Sequence, residues 1–349
     1  MSPVATGARE LPSGSEQEAD LARSDRLVDR GRRRLHLQSL GPAAILLVLI
    51  LIFSLASHQF LRVANFEAIL ESASIAVVLS TAVTFVVLMG SIDLSVEGVM
   101  ATASIALSLL VANSYNSLSL GALGIAACVA IGAAFGLANG LLVVRFKIQS
   151  LIVTLGTWFI GLGLAATLYP ARQPVIADPT IVFLGLNRSL AVSPLVILAI
   201  AVLVVALAVE RQTKFGRIIL GIGADERLMT LSGIPVARYK IGAFVLAGTL
   251  VGVAAVMVTA QLGVGNATAG QGYLFSTITA VVVGGTLLSG GRGGVLQSAT
   301  GVMILEVLRN GMVLLGINPY SQRMIEGLGI VIAVLIGNWH LRRRLRVIK

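Results

Sequence analysis

Charge is scarce in this sequence. Only 12% of its 349 residues are charged, against about 25% in a soluble globular chain. That is too little to clothe a water-soluble fold of this length. Cysteine is all but missing: Cys128 stands alone inside an apolar run, so no disulfide can close within the chain and no cysteine-based metal site is available. It reads as filler. The three histidines, His36, His58 and His340, lie at or beyond the ends of apolar runs. No His/Asp/Glu cluster has metal-ligand spacing, and no Ser, Cys or Thr stands in an activated setting, which argues against a metal centre and against an enzyme. The pattern G-x-x-x-x-G-K-[ST] is absent, so the chain has no phosphate-cradling loop with which to hydrolyse ATP unaided. Gly161-Leu162-Gly163-Leu164-Ala165-Ala166 meets the loose dinucleotide pattern, but no strand precedes it and it reads as helix packing.

What the chain does have is apolar length. Hydrophobic residues make up 56% and the mean hydropathy is +0.93. In hydrocarbon, only helices and closed barrels satisfy every backbone polar group, and the apolar runs here are long and continuous instead of alternating. The expected fold is an all-α integral membrane protein, with 38 glycines to let helices approach closely. A spanning helix needs about 20 apolar residues. Windows of that size fall at 42–58, 66–89, 94–112, 119–143, 149–170, 190–209, 238–262, 274–290, 293–315 and 321–339. This predicts about ten transmembrane helices. Around 90–98 and 264–273, Gly, Asn, Thr and Asp interrupt the apolar run without adding a loop, so broken or re-entrant segments are expected there. Irregular backbone at membrane depth is tolerated only where protein buries it or water reaches it.

An even number of spans puts both termini on one side. With both tails in the cytoplasm, 21 of the 26 Lys and Arg lie inside, leaving Arg62, Arg172, Arg188, Arg309 and Arg323 outside. The positive-inside rule favours that orientation. The net charge of +10 therefore reflects topology, and nucleic-acid binding is not expected. Residues 1–41 read as a disordered cytoplasmic tail, 42–339 as the membrane domain with one sizeable cytoplasmic loop at 210–237, and 340–349 as a basic cytoplasmic tail.

Several positions carry two readings. Asp93 is a carboxylate at membrane depth with no basic neighbour in sequence: it marks a functional site, or it caps the start of the third span with help from Ser95. Gly132, Gly136 and Gly140 place three small residues on one helix face, for static packing or for sliding. Residues 223–235 read as a short surface helix, started by Asp225 and Glu226, given an apolar face by Leu228, Met229 and Leu231, and stopped by Gly233 and Pro235. Lipid or a cytoplasmic partner is expected to cover that face. Glu306 and Arg309 are three apart on one span, either paired or lining a path. Asn139, Thr154, Thr157 and Asn310 supply hydrogen-bonding groups within spans, and with Asp93 they outline a candidate solute path.

Five blocks carry a resemblance: Gly90-Ser91-Ile92-Asp93-Leu94-Ser95-Val96, Asn139-Gly140-Leu141-Leu142-Val143, Ile152-Val153-Thr154-Leu155-Gly156-Thr157, Leu231-Ser232-Gly233-Ile234 and Val283-Gly284-Gly285-Thr286-Leu287-Leu288-Ser289-Gly290-Gly291-Arg292-Gly293. In order and spacing, from about residue 40 onward, the chain resembles the permease subunits of ribose-type ABC sugar importers. The resemblance implies a bacterial inner-membrane permease of about ten helices that pairs with a second permease. Cytoplasmic ATP-binding subunits, which hold ATP and Mg, would drive it, and a periplasmic solute-binding protein would supply a sugar or similar small polar solute. The permease itself would need no cofactor. The stretch Gly223, Ala224, Asp225, Glu226, Arg227, Leu228, Leu231, Ser232 and Gly233 would belong to the helix that couples to the ATPase. This chain departs from the pattern at Ser91 and Glu97, where such permeases commonly have Gly, and at Glu306 and Arg309, where they typically have neutral residues.

Two rivals remain open. A branched-chain amino-acid ABC permease would share the architecture, although the blocks around Asp93 and Gly290 look closer to the sugar branch. An ion-coupled secondary transporter would also be a glycine-rich bundle, but it needs several intramembrane Asp, Glu or His residues, and this chain offers mainly Asp93 and Glu306.

Overall fold

A computed structural model describes residues 41–187, 192–322 and 324–328. Among them the secondary structure is helical, apart from two isolated bridges, Asn113 to Ile176 and Val175 to Val264. The helices are α1 (Gly41–Ala56), α2 (Val63–Leu88), α3 (Val96–Leu110), α4 (Ala122–Arg145), α5 (Ser150–Leu168), α6 (Pro179–Leu186), α7 (Pro194–Gln212), α8 (Lys214–Ala224), α9 (Glu226–Leu231), α10 (Val236–Leu262), α11 (Tyr273–Val283) and α12 (Val295–Leu314). Nine of the ten expected windows hold a helix. The tenth, 321–339, lies mostly outside the described residues, with 324–328 helical. The expected tails, 1–40 and 340–349, also lie outside them, as do Arg188 and Arg323, while Gly41, expected in the first tail, opens α1.

Five helices, α2, α4, α5, α7 and α10, are long and apolar enough to cross a bilayer. At 1.5 Å per residue, α2 and α10 each reach about 40 Å. These two form the centre, with 78% and 61% of their apolar windows buried against 28% in α4, α5 and α7. The outer three turn their remaining apolar faces outward, as lipid-facing helices must. Along α2, Ser80, Thr81 and Thr84 donate their hydroxyls to carbonyls three or four residues back, so these three polar side chains are satisfied within their own helix.

The glycine face of α4 is a packing surface. A Cβ at Gly132 would fall on the carbonyl of Gly248, one at Gly136 on the carbonyl of Phe244, and one at Gly140 would stand 3.0 Å from the Cα of Ile241. Backbone therefore meets backbone between α4 and α10, the close approach that small residues permit in membranes.

At one end of the bundle, the loops around α6 are knitted together by Ile176 N donating to Gly263 O at 2.9 Å, Ala177 N to Ala112 O at 2.8 Å and Gly265 N to Pro174 O at 2.9 Å. The other end carries α8 and α9. The chain breaks twice, the first break starting beside the end of α8. Helix α2 stops at Leu88 and α3 resumes at Val96. After α10, residues 264–272 turn back along α3, with Asn266 N donating to Ser104 Oγ and Gly272 N to Glu97 Oε1, before α11 begins. The expected breaks at 90–98 and 264–273 are thus both present. They leave α3 and α11 only about 22 and 16 Å long, each too short to span alone.

Candidate functional site

The α2–α3 break gathers polar groups from three helices. Asp93 Oδ1 accepts from Ser95 N at 2.8 Å and from Ser95 Oγ at 2.6 Å. Asn139 of α4 donates to Ser95 Oγ at 3.0 Å, and Thr157 of α5 donates to Asn139 Oδ1 at 2.8 Å. Leu94 N donates to Thr154 Oγ1 at 3.0 Å and Ile92 N to Ser150 Oγ at 3.1 Å. Asp93, Ser95, Asn139, Thr154 and Thr157 are all buried. The backbone amides that the break frees from the helical ladder thus find hydroxyl acceptors on α5, which is how irregular backbone survives at depth. Four residues expected along a path, Asp93, Asn139, Thr154 and Thr157, form one connected cluster. The N-cap position of α3 is Ser95, whose side chain makes no capping bond; Asp93 serves the turn two residues earlier.

Asn310 does not join this cluster. Its amide exchanges two hydrogen bonds with that of Asn65 at the start of α2, at 2.8 and 3.1 Å. Glu306 and Arg309 are also elsewhere. Arg309 Nη1 lies 3.3 Å from Glu306 Oε1 and its Nε 3.1 Å from Glu326 Oε1, so the cation bridges two carboxylates and ties α12 to the helical residues 324–328. Thr277 Oγ1, buried and without a hydrogen-bond partner, lines the same pocket as Glu306 and Arg309.

The expected surface helix is present as α9, starting behind Asp225 and ending at Leu231, ahead of Gly233 and Pro235. Gly223 and Ala224 close α8. The backbone extends at Asp225 (φ −159°, ψ 95°), whose carboxylate accepts from Leu228 N at 2.9 Å and starts α9 over 226–231. A capping aspartate restarts the helix because its side chain satisfies an amide that a continuous helix would have bonded. Glu226 pairs with Lys240 of α10 at 2.7 Å, and Ser232 donates its hydroxyl to Leu228 O. Arg227 and Gly233 are exposed. The expected single apolar face is divided: Met229 turns inward onto Gly221, whereas Leu228 and Leu231 stand 59% and 77% exposed.

Beneath α9 lies a glycine junction. Gly223 sits so close to Leu88 O and Gly291 N that a Cβ would overlap them, and Gly290 (φ +82°) packs on Gly90. Gly291 N donates to Leu88 O at 2.9 Å. The end of α8, the end of α2 and the 287–294 loop therefore meet backbone to backbone, which no larger residue permits.

Two carboxylates with no marked role in the sequence prove structurally central. Glu97 Oε1 accepts from Gly272 N at 2.9 Å and from Leu274 N at 3.3 Å. Glu210 Oε2 accepts from Val295 N at 2.8 Å. The available signal was a lone carboxylate within or at the end of an apolar run, the criterion that singled out Asp93.

Comparison with known proteins agrees with this architecture. A family described as branched-chain amino acid transport system / permease component matches residues 65–334. The ribose import permease protein RbsC of Escherichia coli K12 is 34% identical over 299 residues, 84% of this chain and 91% of its own. RbsC of Bacillus subtilis is 34% identical over 312 residues, 87% and 95% of the two chains. The L-arabinose ABC transporter permease protein AraH of Azospirillum brasilense is 32% identical over 304 residues, 87% and 88%. No solved structure matches. The quoted blocks, the paired helix breaks and these alignments agree along most of the chain, and it belongs to this family of multi-pass ABC-transporter permeases, among its ribose-type members.

Proposed function

We propose that this chain is the permease of an ATP-driven importer that moves a sugar or similar small polar solute from a periplasmic binding protein into the cytoplasm. In this reading it pairs with a second permease, its α8–α9 end faces the cytoplasm, and both termini lie on that side. ATP and Mg belong to the separate ATPase subunits. The observation that carries the reading is α9: a six-residue helix, too short to persist alone in water, is pinned at the membrane end by Asp225 and Lys240 while holding Leu228 and Leu231 outward. A groove in an ATPase is its natural occupant, since two bare leucines beside charged residues suit a protein contact with an apolar centre and a polar rim. The relatives named as ribose and arabinose permeases support a sugar as solute. Sugars need several hydrogen-bonding groups, and the proposed path runs beside the cluster of Asp93, Asn139, Thr154 and Thr157, whose bonds to one another and to the helix break a passing solute would have to exchange.

The test is reconstitution of the permease with its cognate ATPase and binding protein, reading uptake of labelled pentoses and hexoses and the solute-stimulated ATP hydrolysis. Sugar-dependent stimulation is expected. The description of the matching family favours one control, branched-chain amino acids. Uptake of leucine in place of any sugar would overturn the solute class and leave the importer reading standing.

A further inference from the structure

Helices α11 and α12 form a hairpin, packed closely enough that a Cβ at Gly284 would strike Gln297 O and one at Gly301 would strike Ala280 O. Its turn is closed by Thr286, which accepts from Gly294 N at 3.2 Å and lies 3.2 Å from Ser298 Oγ. Both helices begin at a glycine, Gly272 and Gly294, and neither glycine offers a capping side chain. The first amides of a helix have no partner within it. Here each end borrows a carboxylate from another helix: Glu97 of α3 takes the amides of Gly272 and Leu274, and Glu210 of α7 takes that of Val295. Neither glutamate forms a salt bridge among the described residues. Each therefore binds chiefly the positive pole of the helix it caps.

The two caps sit at opposite ends of α11, about 16 Å apart along its axis. Glu210 is one turn from α8, whose Gly216 packs directly on the Glu210 backbone. Glu97 is in the first turn of α3, two residues from Ser95 and its bonds to Asp93 and Asn139.

We propose that Glu97 and Glu210 are positioning residues that clamp the α11–α12 hairpin at its two N-termini, so that the hairpin carries displacement of α8 to the helix break as one body. The source of that displacement, an ATPase acting on α9, rests on the importer reading. The clamp itself does not. A packed hairpin gripped at both ends by charge-assisted bonds transmits motion, because loosening either grip lets the whole body shift.

Hydrogen exchange of the full permease in lipid nanodiscs tests this, followed by mass spectrometry of peptides over 264–276 and 290–300. Glu210→Ala removes the acceptor at Val295, and the expected result is exchange about tenfold faster at 272–275, at the far end of α11, as well as locally. Glu210→Gln keeps an acceptor of the same reach and is expected to restore most of the remote protection. Acceleration confined to 290–300 would show a local cap only and overturn the proposal. Should that variant fail to accumulate, Glu97→Ala, which removes the acceptor at the other end, decides it. A shared clamp predicts faster exchange at 290–300 as well as at 264–276, whereas acceleration confined to 264–276 would overturn it. Solute uptake by the same variants is read separately. Intact remote coupling in a protein that imports no solute would overturn the importer reading and leave the clamp in place.

Discussion

At the scale of the residue, the break at Asp93 is held by exchangeable parts. Asp93 uses one oxygen, toward Ser95 N and Oγ, and an asparagine carbonyl can do the same. Asp93→Asn is therefore expected to reach the membrane at near wild-type level, while Asp93→Ala, with no acceptor, lowers the folded amount. Quantitative blotting with uptake measurements separates the two, and lost uptake in a well-folded Asn variant reports the charge alone. Asn139 is less replaceable because it bonds Ser95 on one side and Thr157 on the other. Asn139→Leu removes both bonds, leaving Ser95 Oγ with Asp93 and Thr157 Oγ1 with the carbonyls of Val153 and Thr154, and should destabilise the fold by about 1 kcal/mol, seen as a lower midpoint in detergent thermal denaturation. An unchanged midpoint would mean that water replaces the amide. For Arg309, which bridges Glu306 and Glu326, removal leaves two carboxylates facing each other with no cation between them. Arg309→Gln is expected to lower the amount of folded permease more than Glu326→Gln does, since only the first uncovers the buried Glu306.

At the scale of the element, α9 and α6 show how short helices persist on a membrane protein. Helix α9 survives through its cap and its ion pair, and its exposed leucines are free for a partner. Changing Leu228 or Leu231 to Glu should abolish solute-stimulated ATP hydrolysis at unchanged membrane level, because a charge buried at that contact lacks a counter-ion. Full stimulation in both variants would remove α9 from the coupling. Helix α6 starts at Pro179, behind Asp178, which accepts from Thr180 N at 2.9 Å and from Ser119 Oγ at 2.7 Å. Burial alone would raise the Asp178 carboxyl, but hydrogen bonds from Ser119, Thr180 and Ile181 together hold it below the ordinary carboxylate range. A lowered value in the fold means that the ionised form stabilises α6. That contribution is complete above the unfolded carboxylate range and is lost as pH falls through the lowered value. Exchange protection of 179–186 should weaken with acid in the native protein and lose this dependence in Asp178→Asn. An equal acid response in the variant would assign the effect to another group.

At the scale of the whole molecule, the proposed orientation puts the α8–α9 end in the cytoplasm, and reporter fusions test it: phosphatase fused at Gly121, in the loop that meets α6, should be active, and fused at Gly233 silent. The reverse pattern would invert the orientation. Nine of the ten windows were legible because a run of about 20 apolar residues has one physical solution in hydrocarbon, a helix that satisfies its own backbone. The breaks at 90–98 and 264–273 were legible for the same reason, since Gly, Asp and Asn interrupt that solution. Helix α8 was not, because its 11 residues, with Lys214, Arg217 and three glycines around the buried Ile219 and Ile222, are too few to register as an apolar span. The start of α9 at Asp225 was legible, because an aspartate ahead of a short apolar run is a capping signal. The partners of polar residues lay further beyond reach: Asn139 and Asn310 are the same residue type in comparable spans, yet one joins Asp93 and the other pairs with Asn65, 245 positions away. Composition by itself determined that this chain crosses a membrane many times as helices and where those helices are interrupted, because transfer into hydrocarbon is decided residue by residue. Only the tertiary structure decided that Glu97 and Glu210 cap the α11–α12 hairpin, because a cap borrowed from another helix exists only once the helices have packed.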